Sequence, residues 1–577
     1  MKEWCKSMNG IVIYPVPKKV KYYDCAIDFD ESEVNVKFNE KMRKEEYIIT
    51  VDKDGVCIKC RDDEALFRAR TTLKQILSQT GKQIPYLKIE DWPDFEDRGL
   101  MIDISRCRVQ TLDTLKRIAD IASELKFNQM QLYIEGFSFA YEDYPQVWEG
   151  ITPLTGEEIS ELDKYCKERF VDLVPNQNSY GHMMPWLERE EFKHLAMCPD
   201  GFYFELFGHM KTGWSLDLQD EKALEFLFGL YDDLLKFFSS DKFNVCCDET
   251  LDLGQGKSKE ACEKYGKGHV YYEGLMKIYE NVKSRGLKMM FWGDIILNHP
   301  EYAKKLPKDV IALNWGYDAN DVSEESCKCF QQAGVPYYVC PGTSAWNSIW
   351  GMTDKMMSNI RTSAYNGLKY GAVGYLLTDW GDLWHLHHLP VSYPGYCYGA
   401  AMAWNACEEQ EKYLAEYMNM FIFKDKNNVM GQLLIDMGRY INEEMIDRLP
   451  KYGRTHLAHI LCGSLEEKDT AAEVTKDNLI KVYSYIEEKL TRLQKASMEC
   501  DDADLIKLEV EAGAMILKFA CLLGLYKIDG YDVSKETYLK VLKEIQDKTI
   551  EMHKRAWLAR NKPSRMHEGV EALAKIK

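Results

Sequence analysis

Phe243-Asn-Val-Cys-Cys-Asp-Glu249 sets two adjacent carboxylates at the end of a short apolar run. The run has the length and composition of a buried strand, and the acids stand where that strand would meet its following loop. Working outward, comparable runs recur at 100–104, 129–134, 170–175, 287–292, 310–315, 336–340 and 372–378. Amphipathic helical patterns separate most of them, for instance 111–125 and 156–168, the second with Thr155 as N-cap and Glu158 at the capping-box position. Eight strands alternating with helices predict an α/β chain built on a (β/α)8 TIM barrel. A doubly wound open sheet is the weaker fit, because it uses fewer strands and a Gly-rich phosphate loop would follow the first.

The flanks read differently. Residues 1–95 predict an N-terminal α/β domain, with strands at 16–20 and 34–38. A hairpin, 47–51 and 56–59, turns around Asp54-Gly55, and a helix from Asp62 to about Ser78 carries Leu66, Ala69, Leu73, Ile76 and Leu77 at helical spacing. The barrel takes residues 96–395. Beyond Pro394 the strand pattern stops, and 400–421, 443–449, 471–498, 505–523 and 535–573 have helical periodicity. Residues 396–577 therefore predict a C-terminal all-helical domain, suited to packing on the barrel or to forming a homodimer face.

Composition narrows the chemistry. With 74 basic and 92 acidic residues the net charge is -18, which disfavours a nucleic-acid partner. No segment reaches the length and apolarity of a membrane span. Met1 to Gly10 lacks a signal-peptide layout, and the 18 cysteines are scattered rather than framed, so a reducing, cytoplasmic setting is expected. Cys246 and Cys247 should point to opposite sides of their strand. Cys57/Cys60 and Cys327/Cys329 lack the partners and spacing of a zinc site. No metal and no organic cofactor is expected.

In a barrel, functional groups gather where the strands end. That rule collects Asp103 and Arg106 after the first strand, Glu135 after the second, and Asn176, Asn178 and His182 after the third. Asp248 and Glu249 follow the fourth, Trp292 and Asp294 the fifth, Trp315, Tyr317 and Asp318 the sixth. Trp346 and Asn347 follow the seventh, Trp380 and Asp382 the eighth. An acid pair ringed by tryptophans suits sugar chemistry: the aromatic faces seat a pyranose while one carboxyl protonates its leaving oxygen. Glu249 is the candidate acid, with a carboxyl expected to be raised by Asp248 and by the exclusion of water. Asp248 would orient a substrate group such as an acetamide N–H. Arg106 offers a fork of donors to hydroxyls, and Asp382 would accept from distal ones. His182 reads as a residue that tunes the carboxylates. His385, His387 and His388 have ligand-like spacing but read as packing or loop histidines.

These residues make the chain resemble glycoside hydrolase family 20, the β-N-acetylhexosaminidases, over about residues 10–395. Arg98-Gly-Leu-Met-Ile-Asp-Ile-Ser-Arg106 looks like the family's opening barrel strand with its sugar-binding arginine, and Gly181-His182 like its Gly-His after strand three. Cys247-Asp-Glu249 is similar to its Asp-Glu pair, with cysteine where glycine is usual. Trp292 resembles the pocket tryptophan of strand five, and Trp380-Gly-Asp382 the family's Trp-Gly-Glu with a shorter acid. Glu135 lies near an acidic family position.

The resemblance implies an exo-acting, retaining enzyme that removes terminal β-linked GlcNAc or GalNAc from a glycan by substrate-assisted catalysis. Asp248 would hold the acetamide, and Glu249 would act as acid and then base through an oxazoline-like intermediate. The remaining pocket residues would be Arg106, Glu135, His182, Trp292, Trp315, Tyr317, Trp346, Asn347, Trp380 and Asp382. Two departures stand out. Pro175-Asn-Gln-Asn-Ser-Tyr-Gly-His182 lacks the family's strand-three carboxylates, and Gly342-Thr-Ser-Ala-Trp-Asn347 lacks its strand-seven tyrosine, leaving Tyr317 or Tyr338 as substitutes. A glycosidase for a sugar without the acetamide, using Glu135 or Asp294 as second carboxylate, and a non-catalytic glycan-binding protein are the alternatives.

Overall fold

The computed structural model describes residues 10–29, 34–206, 208–444 and 453–576. Its first layer is a five-stranded sheet of β1 (Lys19–Asp28), β2 (Val34–Phe38), β3 (Tyr47–Asp52), β4 (Gly55–Cys60) and β5 (Gln83–Asp91), in the order β1-β5-β3-β4-β2. The expected hairpin between β3 and β4 forms with its turn one residue earlier, at Lys53-Asp54, because Asp52 pairs with Gly55, which opens β4 at φ 109°. A helix, Asp63–Thr80, is capped by the Asp62 carboxylate accepting from the Ala65 N–H. The strand expected at 16–20 is displaced: Val16 is tied by its N–H to the side chain of Gln410, and pairing begins only at Lys19. β5 had no counterpart in the sequence reading, since its half-buried face breaks the apolar run.

Eight parallel strands then close a barrel: β6 (Asp97–Asp103), β7 (Gln129–Ile134), β8 (Asp172–Gln177), β11 (Lys242–Asn244), β12 (Lys288–Trp292), β13 (Ile311–Trp315), β14 (Tyr337–Cys340) and β15 (Gly374–Asp379). A small hairpin, β9 (Phe202–Phe204) with β10 (Gly208–Met210), sits in the long crossover between β8 and β11. Each barrel strand is buried on both faces, which is why the strands read as continuous apolar runs rather than alternating ones. Polar residues form one interior layer: the Gln131 Oε1 accepts from Asn176 and Asn244 Nδ2, each at 2.9 Å. Asn176 is thereby part of the barrel filling, and Asn178 donates to the Ile134 carbonyl.

Cys246 and Cys247 lie beyond the regular ladder of β11, at φ 58° and 68°, rather than on an extended strand. Cys246 faces the barrel interior and Cys247 the surrounding core, so opposite sides are reached through left-handed backbone. That turn lifts Asp248 and Glu249 onto the rim.

After β15 the described chain is helical, chiefly Tyr393–Trp404, Glu409–Tyr417, Met430–Met437, His456–Cys462, Lys476–Leu493, Ala503–Lys527, Lys535–Arg560 and Met566–Leu573. The stretch expected over 400–421 is interrupted after Trp404, and that over 535–573 after Arg560, where Pro563 cannot continue a helix. The segment 443–449 extends past Glu444 outside the described residues. No described helix is long and apolar enough to cross a membrane, and the described cysteines are free thiols.

The N-terminal sheet docks on the bottom of the barrel through buried charge. The Glu45 carboxylate meets Arg98 at 2.6 Å and Arg68 at 2.9 Å, with all three side chains excluded from solvent. Nearby, Lys126 Nζ reaches Asp91 at 3.1 Å, and the Trp404 indole donates to the same carboxylate at 3.0 Å. Burial by itself would raise the Glu45 carboxyl, but Arg98 and Arg68 outweigh it and bring it below its ordinary 4.5. Its contribution to stability is therefore present above that value and is lost as the pH falls through the lowered one. Glu45→Gln leaves the buried Arg98 guanidinium without its carboxylate and Arg68 with only Glu64, at 3.3 Å, with an expected cost of about 3–5 kcal/mol in denaturant unfolding at pH 7. The gap from wild type should narrow as the pH is taken down from 4.5; a pH-independent gap would assign the loss to packing.

Candidate active site

The C-terminal ends of the barrel strands surround a cleft of about 310 Å³. Of the residues singled out from sequence, Arg106, His182, Asp248, Glu249, Trp292, Trp315, Tyr317, Trp346, Asn347, Trp380 and Asp382 all line it. Glu135 does not. It stands behind the wall, with its Oε2 3.3 Å from Arg106 and 3.6 Å from His182 Nδ1, and it accepts from the Tyr133 hydroxyl at 2.9 Å. Tyr338 is also remote: its hydroxyl bonds Asp97 at the start of β6, at the opposite end of the barrel.

The aromatic residues form a box. Trp292 and Trp380 lie 6.1 Å apart between centroids, and Tyr317 packs between Trp315, at 5.4 Å, and the edge of Trp346, at 5.0 Å. The Trp380 indole N–H donates to the Tyr317 hydroxyl oxygen at 2.6 Å, fixing that phenol in the wall and leaving its O–H as a donor. Of the two tyrosines considered, Tyr317 lines the cleft and Tyr338 does not. The Arg106 guanidinium lies 4.9 Å from the ring centres of both Tyr133 and Trp380, and it is held by Asp103 at 2.9 Å. Asp103 also accepts from the Gly381 N–H at 2.9 Å, tying the first strand's loop to the eighth's.

His182 is the electrostatic centre. Its Nε2 lies 3.5 Å from Asp248 and 3.2 Å from Glu249, while Nδ1 faces Glu135. Burial opposes the imidazolium, but Asp248 and Glu135 outweigh it and raise its pKa well above 6.5. Burial likewise raises Glu135, yet Arg106 and then His182 bring it down to about 2. For Glu249 the balance reverses the expectation from sequence. Burial raises its carboxyl, but the hydrogen bond and charge of His182 prevail and lower it, because the tryptophans shield the carboxyl less than the imidazolium attracts its charge. Glu135 thus supplies the acidic partner that the strand-three motif lacks.

Several groups were missed. Trp214, in the crossover before β11, packs at a tilt of 55° against His182, with ring centres 4.7 Å apart, and donates its indole N–H to the Glu249 carbonyl at 2.7 Å. Asp252 holds Trp214 by accepting its backbone N–H at 3.0 Å, so the one local signal was an acid three residues after the pair. Asp294 accepts the Glu249 N–H at 3.2 Å beneath the cleft. Burial and the adjacent Asp248 push its carboxyl up. On the open side, Lys355 pairs with Asp318 at 2.8 Å, and both line the cleft with Asp321, Ser344 and Met352.

Among the described residues the group with metal-ligand spacing is His182, Asp248 and Glu249, whose candidate atoms lie within 4.8 Å of one another. These are the same atoms that pair with each other. His385, His387 and His388 are buried outside the cleft, and burial followed by nearby positive charge, from Arg108 or His553, keeps all three neutral.

Known proteins resemble this chain in family and fold. A β-hexosaminidase of Vibrio furnissii is 21% identical over 359 residues, covering 55% of this chain and 54% of its own length. A β-hexosaminidase A of Caenorhabditis elegans is 24% identical, covering 59% of this chain and 58% of its own. The chain thus spans about half the length of such relatives. The β-N-acetylhexosaminidase of Bacteroides fragilis superposes with a TM-score of 0.58 at 17% identity, over 72% of this chain and 96% of that one. The Flavobacterium johnsoniae chitobiase does so at 0.57 and 16% identity, over 93% and 95%. Residues 16–92 match domain 2 of glycosyl hydrolase family 20 and residues 95–366 match its catalytic domain. With that match over the sheet and most of the barrel, the chain belongs to glycosyl hydrolase family 20.

Proposed function

We propose that the chain is an exo-acting, retaining β-N-acetylhexosaminidase that releases terminal β-linked GlcNAc or GalNAc with the help of the substrate's own acetamide. The observation that carries this is the Asp248–Glu249 pair in a cleft lined by Trp292, Trp315, Tyr317, Trp346 and Trp380. Neither Glu135 nor Asp294, the candidates for a second carboxylate, lines the cleft, which argues against a mechanism without the acetamide.

In this reading the pyranose lies against Trp380, and Arg106 and Asp382 hold its distal hydroxyls. Asp248 accepts the acetamide N–H while the Tyr317 O–H donates to the acetamide oxygen. That oxygen attacks the anomeric carbon as Glu249 gives its proton to the leaving oxygen, so the C–O bond to the rest of the glycan breaks and an oxazoline-like ring forms. Glu249, now a base, takes a proton from the water that reopens the ring, and configuration is retained. The acid must be protonated at the first step, although His182 lowers it in the open cleft. A seated sugar covers the Glu249 side chain, which is 43% exposed, and desolvation raises its carboxyl. The proton that Glu249 gives to the leaving oxygen is replaced by the one it takes from the water, so each turnover restores the acid.

The decisive assay is nitrophenol release from matched β-N-acetylglucosaminide, β-N-acetylgalactosaminide and β-glucoside substrates. Turnover should be confined to the acetamido sugars and fall by roughly two to four orders of magnitude in Glu249→Gln. Asp248→Asn should impair acetamido substrates far more than 2-hydroxy ones; equal losses would remove acetamide participation.

His182→Gln tests the charge network independently. A histidine with a raised pKa contributes stability that is fully present below 6.5 and is lost as the pH climbs through the folded-state value. Thermal melts should therefore show the largest gap between wild type and variant at pH 6 and a smaller one in strong alkali. An unchanging gap would mean that His182 is held neutral.

A further inference from the structure

The helices after β15 lie almost wholly beyond the residues matched to the family's catalytic domain, and the proposed chemistry gives them no task. They touch the barrel at several places, including Thr455 N–H on the Asn347 carbonyl at 3.0 Å, and two of the loops they hold carry residues of the cleft. The loop after β6, which carries Arg106, runs alongside the segment following helix Lys535–Arg560. The Val109 carbonyl accepts from the Lys562 N–H at 2.8 Å, and the Cys107 carbonyl from the Arg565 N–H at 3.3 Å. Gln110 and Asn561 form a β-bridge, and the Arg560 carbonyl accepts from the Thr111 N–H at 2.9 Å and the Thr114 hydroxyl at 2.7 Å.

The loop after β15, which carries Trp380 and Asp382, is held from the same side. Leu383, Trp384 and His385 have φ of 67°, 54° and 53°, three consecutive left-handed residues without a glycine. Such backbone costs roughly 1–2 kcal/mol per residue and persists only where its surroundings over-determine it. His388 packs on His553 of helix Lys535–Arg560, with ring centres 5.2 Å apart.

Arg108 joins the two. Its Nη2 donates to the carbonyls of His385 at 2.7 Å and His387 at 2.5 Å, and its guanidinium lies 5.0 Å from the ring centre of Trp557. The residue is 4% exposed, and its bonds go to main-chain carbonyls rather than to a carboxylate. A buried guanidinium without a direct ion pair is costly, so its place is explained by what it holds. Arg106 and Arg108 divide the loop's work, one facing the cleft and the other the helices.

We infer that the C-terminal helices belong to the substrate-binding apparatus, and that Arg108 is a positioning residue through which they hold Arg106 and the Trp380–Asp382 loop in one geometry. The functional part of this inference rests on the proposed glycosidase reading; the clamp itself does not. Asp248 and Glu249 lie on the far side of His182 from these contacts, so loosening the clamp should weaken binding more than it slows chemistry.

The test compares Arg108→Met, Arg108→Lys and Trp557→Leu in the full chain. Arg108→Met should raise KM on the acetamido substrates about tenfold or more while kcat stays within about threefold, with partial recovery in Arg108→Lys. Hydrogen exchange should quicken in 104–110 and 380–388 but not in 243–249. If Arg108→Met does not fold, Trp557→Leu, which keeps apolar bulk, should show the same pattern in reduced form. A uniform loss of kcat and KM that tracks global stability, or unchanged exchange in both loops, would overturn the inference. Exchange needs no turnover: an inactive wild type whose variants show the loop-specific change would sink the glycosidase reading and leave the clamp standing.

Discussion

Buried charges must be answered by opposite charges or by hydrogen-bond partners, and this constraint organises the rim of the barrel. From Asp103 the sequence of contacts runs through Arg106 to Glu135, then His182, then Asp248 and Glu249, alternating in sign until the acid pair. Removing a member leaves a neighbour uncompensated in a poorly hydrated site. The chain also couples functions. Arg106 and the His182 imidazolium share one carboxylate, Glu135, which does not line the cleft.

The same requirement shapes the two seams where other layers meet the barrel. Below, Glu45 between Arg68 and Arg98, and Asp91 between Lys126 and Trp404, lock the N-terminal sheet to the strand bottoms. Above, Arg108 spends its donors on the carbonyls of the loop after β15, whose left-handed backbone turns those groups inward. Polar seams of this kind give register as well as adhesion, since a shifted interface would strand a charge. The cleft wall is thus referenced to both flanking layers.

Much of this was legible before any coordinates. Buried parallel strands announce themselves as unbroken apolar runs, and each of the eight was recognisable, with ends displaced by a few residues where pairing begins or stops. The rule that strand ends carry function then sorted Arg106, Asp248, Glu249, Trp292 and Trp380 onto one rim. Weaker signals failed for definable reasons. β5 is half-buried and lacks an apolar run, the break after Arg560 was overridden by strong flanking periodicity, and Trp214 sits in a crossover far from the end of any barrel strand.

Sequence alone determined the barrel, the identity of its acid pair and the aromatic character of the cleft, because periodicity and strand-end position are local properties of the chain. Tertiary structure alone decided that His182 lowers the Glu249 carboxyl, that Glu135 retreats behind the cleft wall, that Tyr317 rather than Tyr338 lines the cleft, and that Arg108 meets the helix Lys535–Arg560 at Trp557. Each of these depends on distances between residues tens to hundreds of positions apart. Electrostatic and hydrogen-bond energies change steeply over a few ångströms, and no local pattern encodes such a separation.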